Sequence, residues 1–206
     1  MANPTTPAKP PAPKRRRADA NRSVAAILDA ALEALASDPD SSMSEIARRA
    51  GVVRATIYVH FPTRTALLDA VMEHAVALVT EAMKGAEPQR GEPVEALERV
   101  LRATWRQLAQ FHALLALNTA RLSAEELHRR HVPMLDQLEP LIKRGQKQGV
   151  FRSDLPVAWL LAVIRAIVHT ASHEIQGGRI PESKAEAAML STAVSAISSP
   201  ATARAV

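Results

Sequence analysis

Ser42-Met-Ser-Glu-Ile-Ala-Arg-Arg-Ala-Gly-Val-Val-Arg-Ala-Thr-Ile-Tyr-Val-His-Phe-Pro-Thr-Arg-Thr-Ala-Leu-Leu68 carries the strongest structural signal in the chain. Ser42-x-x-Glu45 is a capping box, which predicts a short helix from Met43 to Ala50 that Gly51 ends. A second short segment, about Arg54 to His60, is closed by Phe61-Pro62. Thr63 then caps a long helix to about Lys84. Two short helices joined through a glycine have the length and punctuation of a helix-turn-helix. In that arrangement the first helix braces the second, whose outer face can enter a DNA major groove. Ile46, Ala47, Val52 and Ile57 supply the apolar positions that fasten the pair, while Arg54, Thr56, Tyr58 and His60 are left as polar reach.

Upstream, Val24, Ile27, Leu28, Ala31, Leu32 and Leu35 recur at helical spacing and predict an amphipathic helix that Asp38-Pro39-Asp40 stops. Residues 1–18 hold five prolines and the run Lys14-Arg15-Arg16-Arg17, with no apolar stretch of the signal-peptide kind. They read as a disordered basic arm. Downstream, Gly85 to Pro93 reads as a loop, and Val94, Leu97, Leu101, Trp105, Leu108 and Phe111 make the next stripe, with a break or kink expected between His112 and Arg121. Ser123-x-x-Glu126 opens a helix to about Gln148 in which Pro133 and Pro140 predict kinks. Gly149 is placed to end it. An apolar helix follows from Pro156 to Gln176, and a last helix begins at Pro181. The expectation is an all-α chain of about nine helices.

Composition agrees. The 206 residues can bury a real core, and their apolar share is mostly alanine, leucine and valine, with aromatics at 3%. Cysteine is absent, which excludes disulfides, thiolate metal sites and cysteine nucleophiles. The formal charge of +5 sits wholly in residues 1–22, where six basic side chains face Asp19 alone. Residues 23–206 sum to zero. Within them Arg48, Arg49, Arg54 and Arg64 against Glu45 leave the segment from Ser42 to Arg64 locally basic, as an acidic partner such as nucleic acid requires. No apolar run is long enough to span a bilayer. Phosphate-cradling and catalytic motifs are missing, and no cofactor is implied. His169-x-x-x-His173 and His128-x-x-His131 have spacings that can bind a metal, but neither has a third ligand at a diagnostic distance. A helical metalloenzyme is therefore a remote alternative.

The stretch from Ser42 to Leu68 resembles the N-terminal signature of TetR-family transcriptional repressors: Ile-Ala and Ala-Gly-Val around the turn, Ile-Tyr-x-His-Phe in the recognition helix, and a basic residue before a paired leucine. The resemblance implies a helix-turn-helix domain over residues 19–62 and a ligand-binding and dimerisation domain over 63–206. It implies that Ser42, Tyr58, His60 and Arg64 contact phosphates and that Arg54, Ala55 and Thr56 face base edges. Arg54 is suited to guanine, and the Ala55 and Thr56 methyls to thymine. Val53 stands where many members carry a capping serine, and Ala55 where many carry glycine. Loss of the cap costs about 0.5–2 kcal/mol if nothing replaces it. Arg15, Arg16 and Arg17, next to the first helix, are expected to add phosphate contacts without base specificity.

The helix from Pro156 to Val168 is apolar nearly all round and so needs cover on two sides. The resemblance implies a homodimer through the last two helices, and hence a pseudo-palindromic double-stranded DNA operator. Trp105, Phe111, Met134 and Trp159, near His112 and Asn118, are either ordinary core or, as the resemblance implies, the lining of a cavity for a small-molecule effector. Arg165, inside an apolar run, demands a partner. Either a glutamate across the dimer or an acidic ligand meets that demand. The expected protein is thus a cytoplasmic, ligand-responsive repressor with no membrane partner; a DNA-binding dimer without an inducer, which recruits a partner instead, is the alternative.

Overall fold

The computed structural model describes residues 13–108 and 123–200. Among them are eight α-helices: α1 (Pro13–Ser37), α2 (Met43–Arg49), α3 (Arg54–His60), α4 (Arg64–Gly85), α5 (Pro93–Leu108), α6 (Ala124–Lys147), α7 (Val157–Gln176) and α8 (Glu182–Ile197). The one β feature there is an isolated antiparallel bridge between Phe151 and Ser198. The all-helical expectation holds, with eight helices against about nine anticipated. The break expected between His112 and Arg121 lies outside the described residues.

One boundary is corrected. The basic run Lys14–Arg17 falls inside α1, not in a disordered arm reaching to residue 18, because α1 starts at Pro13. Proline suits a first helical position, where its missing N–H would have had no partner.

Side-chain caps start three helices as the sequence predicts. The hydroxyls of Ser42, Thr63 and Ser123 accept from the backbone N–H of Glu45, Ala66 and Glu126 at 3.2, 3.1 and 3.2 Å. The acidic halves of the two capping boxes have other work. Glu45 binds Arg48 and Arg49, and Glu126 binds Arg129 and Arg130. Glycine ends α2 and α6 in the same way. Gly51 (φ +66°) and Gly149 (φ +74°) adopt the left-handed conformation that a side chain would strain. Their N–H groups and those of the following residues return to Arg48, Ala47, Gln146 and Gly145, the paired bonds of a Schellman motif.

Burial divides the apolar residues into two clusters. The first joins Ile27, Leu32 and Leu35 of α1, Ile46 and Ala47 of α2, Ile57 of α3, and Leu67, Val71, Met72 and Ala75 of α4. The second joins Val79 and Met83 of α4 to the inward faces of α5 through α8. A single unbroken helix, α4, therefore contributes its first half to one core and its second half to the other. Helix α6 passes Pro133 and Pro140 as one helix, with Leu138, Leu141 and Ile142 buried around the second proline.

The turn after α6 anchors the chain's last helix. Arg152 N–H donates to Ile197 O at 2.8 Å and Ser199 N–H to Val150 O at 2.9 Å. Phe151, fully buried, lies so close to Gly145 that a Cβ there would fall 2.0 Å from its ring.

Candidate nucleic-acid interface and internal cavity

The helix-turn-helix forms as the spacing predicts. Ile46, Ala47 and Ile57 are buried between α2 and α3, Val52 packs against them, and Phe61 closes the unit from below. With these side chains turned inward, α3 presents Arg54, Ala55, Val59 and Tyr58 outward, Val59 at 77% exposure. The Arg54 guanidinium lies over the Tyr58 ring, 5.5 Å from its centroid, so the two large polar side chains of this face are held together by a cation–π contact. Thr56 and His60 are half-buried, with the His60 ring tilted against Phe61. Helix α3 starts at Val53 without a side-chain cap, as the sequence implies, and Val53 itself is 70% exposed.

Two expected phosphate contacts have structural roles here. Ser42 spends its hydroxyl on the α2 cap. Arg64 donates from Nη2 to Pro39 O at 2.6 Å and from Nη1 to Ser41 O, which ties the α1–α2 loop to the start of α4. On α2, Arg48 and Arg49 converge on Glu45 and hold its carboxyl down at about 2, hydrogen bonding from Arg48 being the largest cause. Helix α1 carries Arg15, Arg16 and Arg17 in its first two turns.

Above this unit lies a cavity of about 80 Å³ between α4, α5, α6 and α7. Its walls are mainly apolar: Met72, Val76 and Val79 of α4, Leu101 and Leu108 of α5, Leu135 and Leu138 of α6, Leu161 and Ile164 of α7. Thr104, Arg130, His131, Arg165 and His169 supply the polar groups. The two histidines meet across α6 and α7, Nε2 to Nε2 at 3.0 Å. His131 Nδ1 lies 2.6 Å from Leu127 O. That carbonyl can only accept, so His131 carries its proton on Nδ1 and its Nε2 accepts from His169. Burial pushes both imidazoles toward the neutral form. His169 is lowered to about 4, with the charges of His131 and Arg165 adding to burial.

Of the four cavity candidates among the described residues, two line it and two do not. Met134 and Arg165 line it. Trp105 is instead core, 3% exposed, because it continues the Leu97–Leu101 stripe of α5. Trp159 is 57% exposed on the opposite face of α7. Phe111, His112 and Asn118 lie outside the described residues. The histidine pairs do not form within their own helices. Among the described residues no group of three or more potential metal ligands converges.

Arg130 was not singled out by sequence, since it sits in a charged run that reads as a solvated face. Its Nη2 donates to Asp69 of α4 at 3.0 Å and its Nε to Glu126 at 3.0 Å, while Nη1 is buried without a partner. A usable signal was the stripe Leu127, His131, Met134 and Leu138, which turns this part of α6 inward.

A tri-helical reading head fastened through one long helix to a second helical core with a cavity defines a DNA-binding regulator with a separate sensory domain. The chain belongs to the TetR family. Residues 27–71 match the profile described as bacterial regulatory proteins, tetR family, and residues 93–174 match the tetracyclin repressor-like C-terminal domain. It is 26% identical over 159 residues to the HTH-type transcriptional regulator NfxB of Pseudomonas aeruginosa, covering 76% of this chain and 84% of that one. It is 42% identical over 76 residues to the HTH-type transcriptional repressor LfrR of Mycolicibacterium smegmatis, covering 37% and 40% of the two chains. The crystal structure of LfrR in complex with proflavine superposes with a TM-score of 0.64 at 25% identity, over 84% of this chain and 95% of that one. A TetR-family regulator from Rhodococcus sp. shares the fold at a TM-score of 0.70 and 19% identity, over 84% and 96%. The protein is a TetR-family, DNA-binding transcriptional regulator. No helix among the described residues is long and apolar enough to cross a membrane.

Proposed function

We propose that the protein is a repressor that holds a pseudo-palindromic operator as a homodimer and is released by a small molecule in the cavity. Residues 19–62 act as the reading head and 63–206 as the effector and dimerisation domain, in the cytoplasm where chromosomal DNA lies. The observation that carries this reading is the placement of α4, whose Val71 and Ala75 pack in the reading-head core while its Val76 and Val79 line the cavity. A ligand that moves the second half of α4 also moves the first, and with it the separation of the two recognition helices.

In this reading Arg54, Ala55 and Thr56 address base edges, Tyr58 and His60 address phosphate, and Arg15, Arg16 and Arg17 add charge-based affinity. Ser42 and Arg64 serve mainly to set the angle of α2. The dimer forms through the outer faces of α7 and α8, where Ala158, Trp159, Ala166, Ala187, Ala188 and Ser191 are exposed and small except for one tryptophan. The liganded LfrR complex supports a small-molecule effector over a purely recruiting role.

Selection of duplex fragments by the purified chain tests the first half of the reading. The expected product is an inverted repeat with half-sites about one helical turn apart. Retention of all duplexes alike, with no enriched repeat, would overturn it.

A further inference from the structure

The cavity's polar wall is one-signed. Among the described residues lining it there is no aspartate or glutamate, but there are two arginines and two histidines. Arg130 has its charge shared with Asp69 and Glu126, yet keeps a buried Nη1 donor with no acceptor. Arg165 has no hydrogen-bond or ion-pair partner among the described residues. One turn further along α7 lies His169, which touches His131, the sequence neighbour of Arg130. A half-buried guanidinium alone could be served by water. A buried, unpartnered N–H on another residue of the same lining could not, and such a donor calls for an acceptor.

We propose that the effector is a small organic carboxylate with an apolar body, its carboxylate received by Arg165 and the free Nη1 of Arg130 beside the His131–His169 pair. This rests on the reading of the cavity as the effector site. The body packs against Leu101, Leu161, Ile164 and the α4 methyls. The volume of about 80 Å³ favours a short body, being roughly half of what admits a benzene ring elsewhere.

Binding is linked to protons. His169 donates from Nε2 to His131, so its Nδ1 is the open basic site. It is faced by His131 and Arg130 from α6 and by Arg165 from its own helix, with His128 acting on His131 from a turn away, while α5 offers only Thr104 and the lining residues of α4 carry no charge. Burial first, and then His131 and Arg165, hold the imidazole down at about 4. A carboxylate offsets Arg165 and favours the imidazolium, so the complex gains a proton and tightens as pH falls.

The test is calorimetric titration of the full chain with n-alkyl carboxylates from butanoate to octanoate, and with the alcohols and amines of matching length, near pH 6 and near pH 7.5. Operator retention is followed in parallel. The carboxylates are expected to bind at least about tenfold tighter than the alcohols, more tightly at the lower pH. Arg165→Gln should abolish that preference while keeping operator binding, and Arg165→Lys should keep it. Alcohols or amines that bind as well as acids, or a preference that survives Arg165→Gln, overturn the proposal, as does a complete absence of binding by all three classes. If an alcohol binds preferentially and releases the operator, the carboxylate assignment fails and the repressor reading stands. If an acid binds with the stated preference and the operator is kept, the assignment stands and ligand release fails.

Discussion

Arg130 of α6 and Asp69 of α4 form an ion pair, Nη2 to Oδ1 at 3.0 Å, that joins the cavity wall to the second turn of the helix leaving the reading head. The same guanidinium is held by Glu126 through Nε. Asp69 is 52% exposed and the arginine side chain 18%, so the pair adds only about 0–1 kcal/mol of stability. Its position matters more than its strength. A carboxylate on the free Nη1 would share the guanidinium with the Asp69 held on Nη2, so a ligand placed there bears on the contact between α4 and α6.

The α3 face predicts a separation of affinity from specificity. Arg54→Ala should cost about 1–3 kcal/mol on the best operator and relax the preference at one base pair of each half-site. Tyr58→Phe removes one hydroxyl and should weaken all duplexes by a similar factor. Fluorescence anisotropy with operator and scrambled DNA separates the two. Equal losses on both DNAs for Arg54→Ala would remove it from base reading.

The basic run at the start of α1 should act through salt. Replacing Lys14, Arg15, Arg16 and Arg17 by glutamine keeps the helix and removes its charge. The slope of log affinity against log salt should flatten by about 0.9 for each phosphate no longer neutralised, with the ratio of operator to scrambled binding unchanged. A changed ratio would mean that this segment reads bases.

Gly145→Ala should destabilise the sensory half. The new methyl would sit 2.0 Å from Cδ2 of Phe151, a fully buried ring whose turn also holds α8 through Arg152 and Ser199. Forced repacking of this kind costs about 1–3 kcal/mol, which lowers the melting temperature by roughly 2–12 °C in a chain of this size. An unchanged melting temperature would show that the ring can move aside freely.

Acid should destabilise the empty protein through His169. The group's folded pKa is about 4, below its ordinary 6.5, so protons bind the unfolded chain more readily. The contribution of the neutral, buried ring is complete above pH 6.5 and is lost as pH falls toward 4, about 3 kcal/mol at the most. His169→Gln should flatten thermal stability across that window relative to the parent. A parent profile already flat between those limits would place the imidazole in contact with water.

The reading head was legible because each of its features is local. Ser42, Gly51 and Thr63 cap or break helices through bonds to residues within three or four positions, and Ile46, Ala47 and Ile57 show their inward face by spacing alone. The missing cap at Val53 was equally visible. The cavity was not, because it depends on which helices become neighbours. His131 and His169 are 38 positions apart, and Arg130 and Asp69 are 61 apart. Large aromatic residues were a poor guide. Trp105 fills core, Trp159 faces outward, and the polar wall includes Arg130, from a charged run that reads as a solvated face. Arg165 was found from sequence since a charge within an apolar run is conspicuous in any fold.

Communication between cavity and operator through α4 is best measured as the operator dissociation constant with the cavity empty and then saturated, in the parent and in Asp69→Asn. Saturation is expected to weaken the parent's operator binding by roughly 5- to 150-fold, and by a clearly smaller factor in Asp69→Asn. A calorimetrically filled cavity that leaves the parent's operator constant unchanged would contradict that coupling.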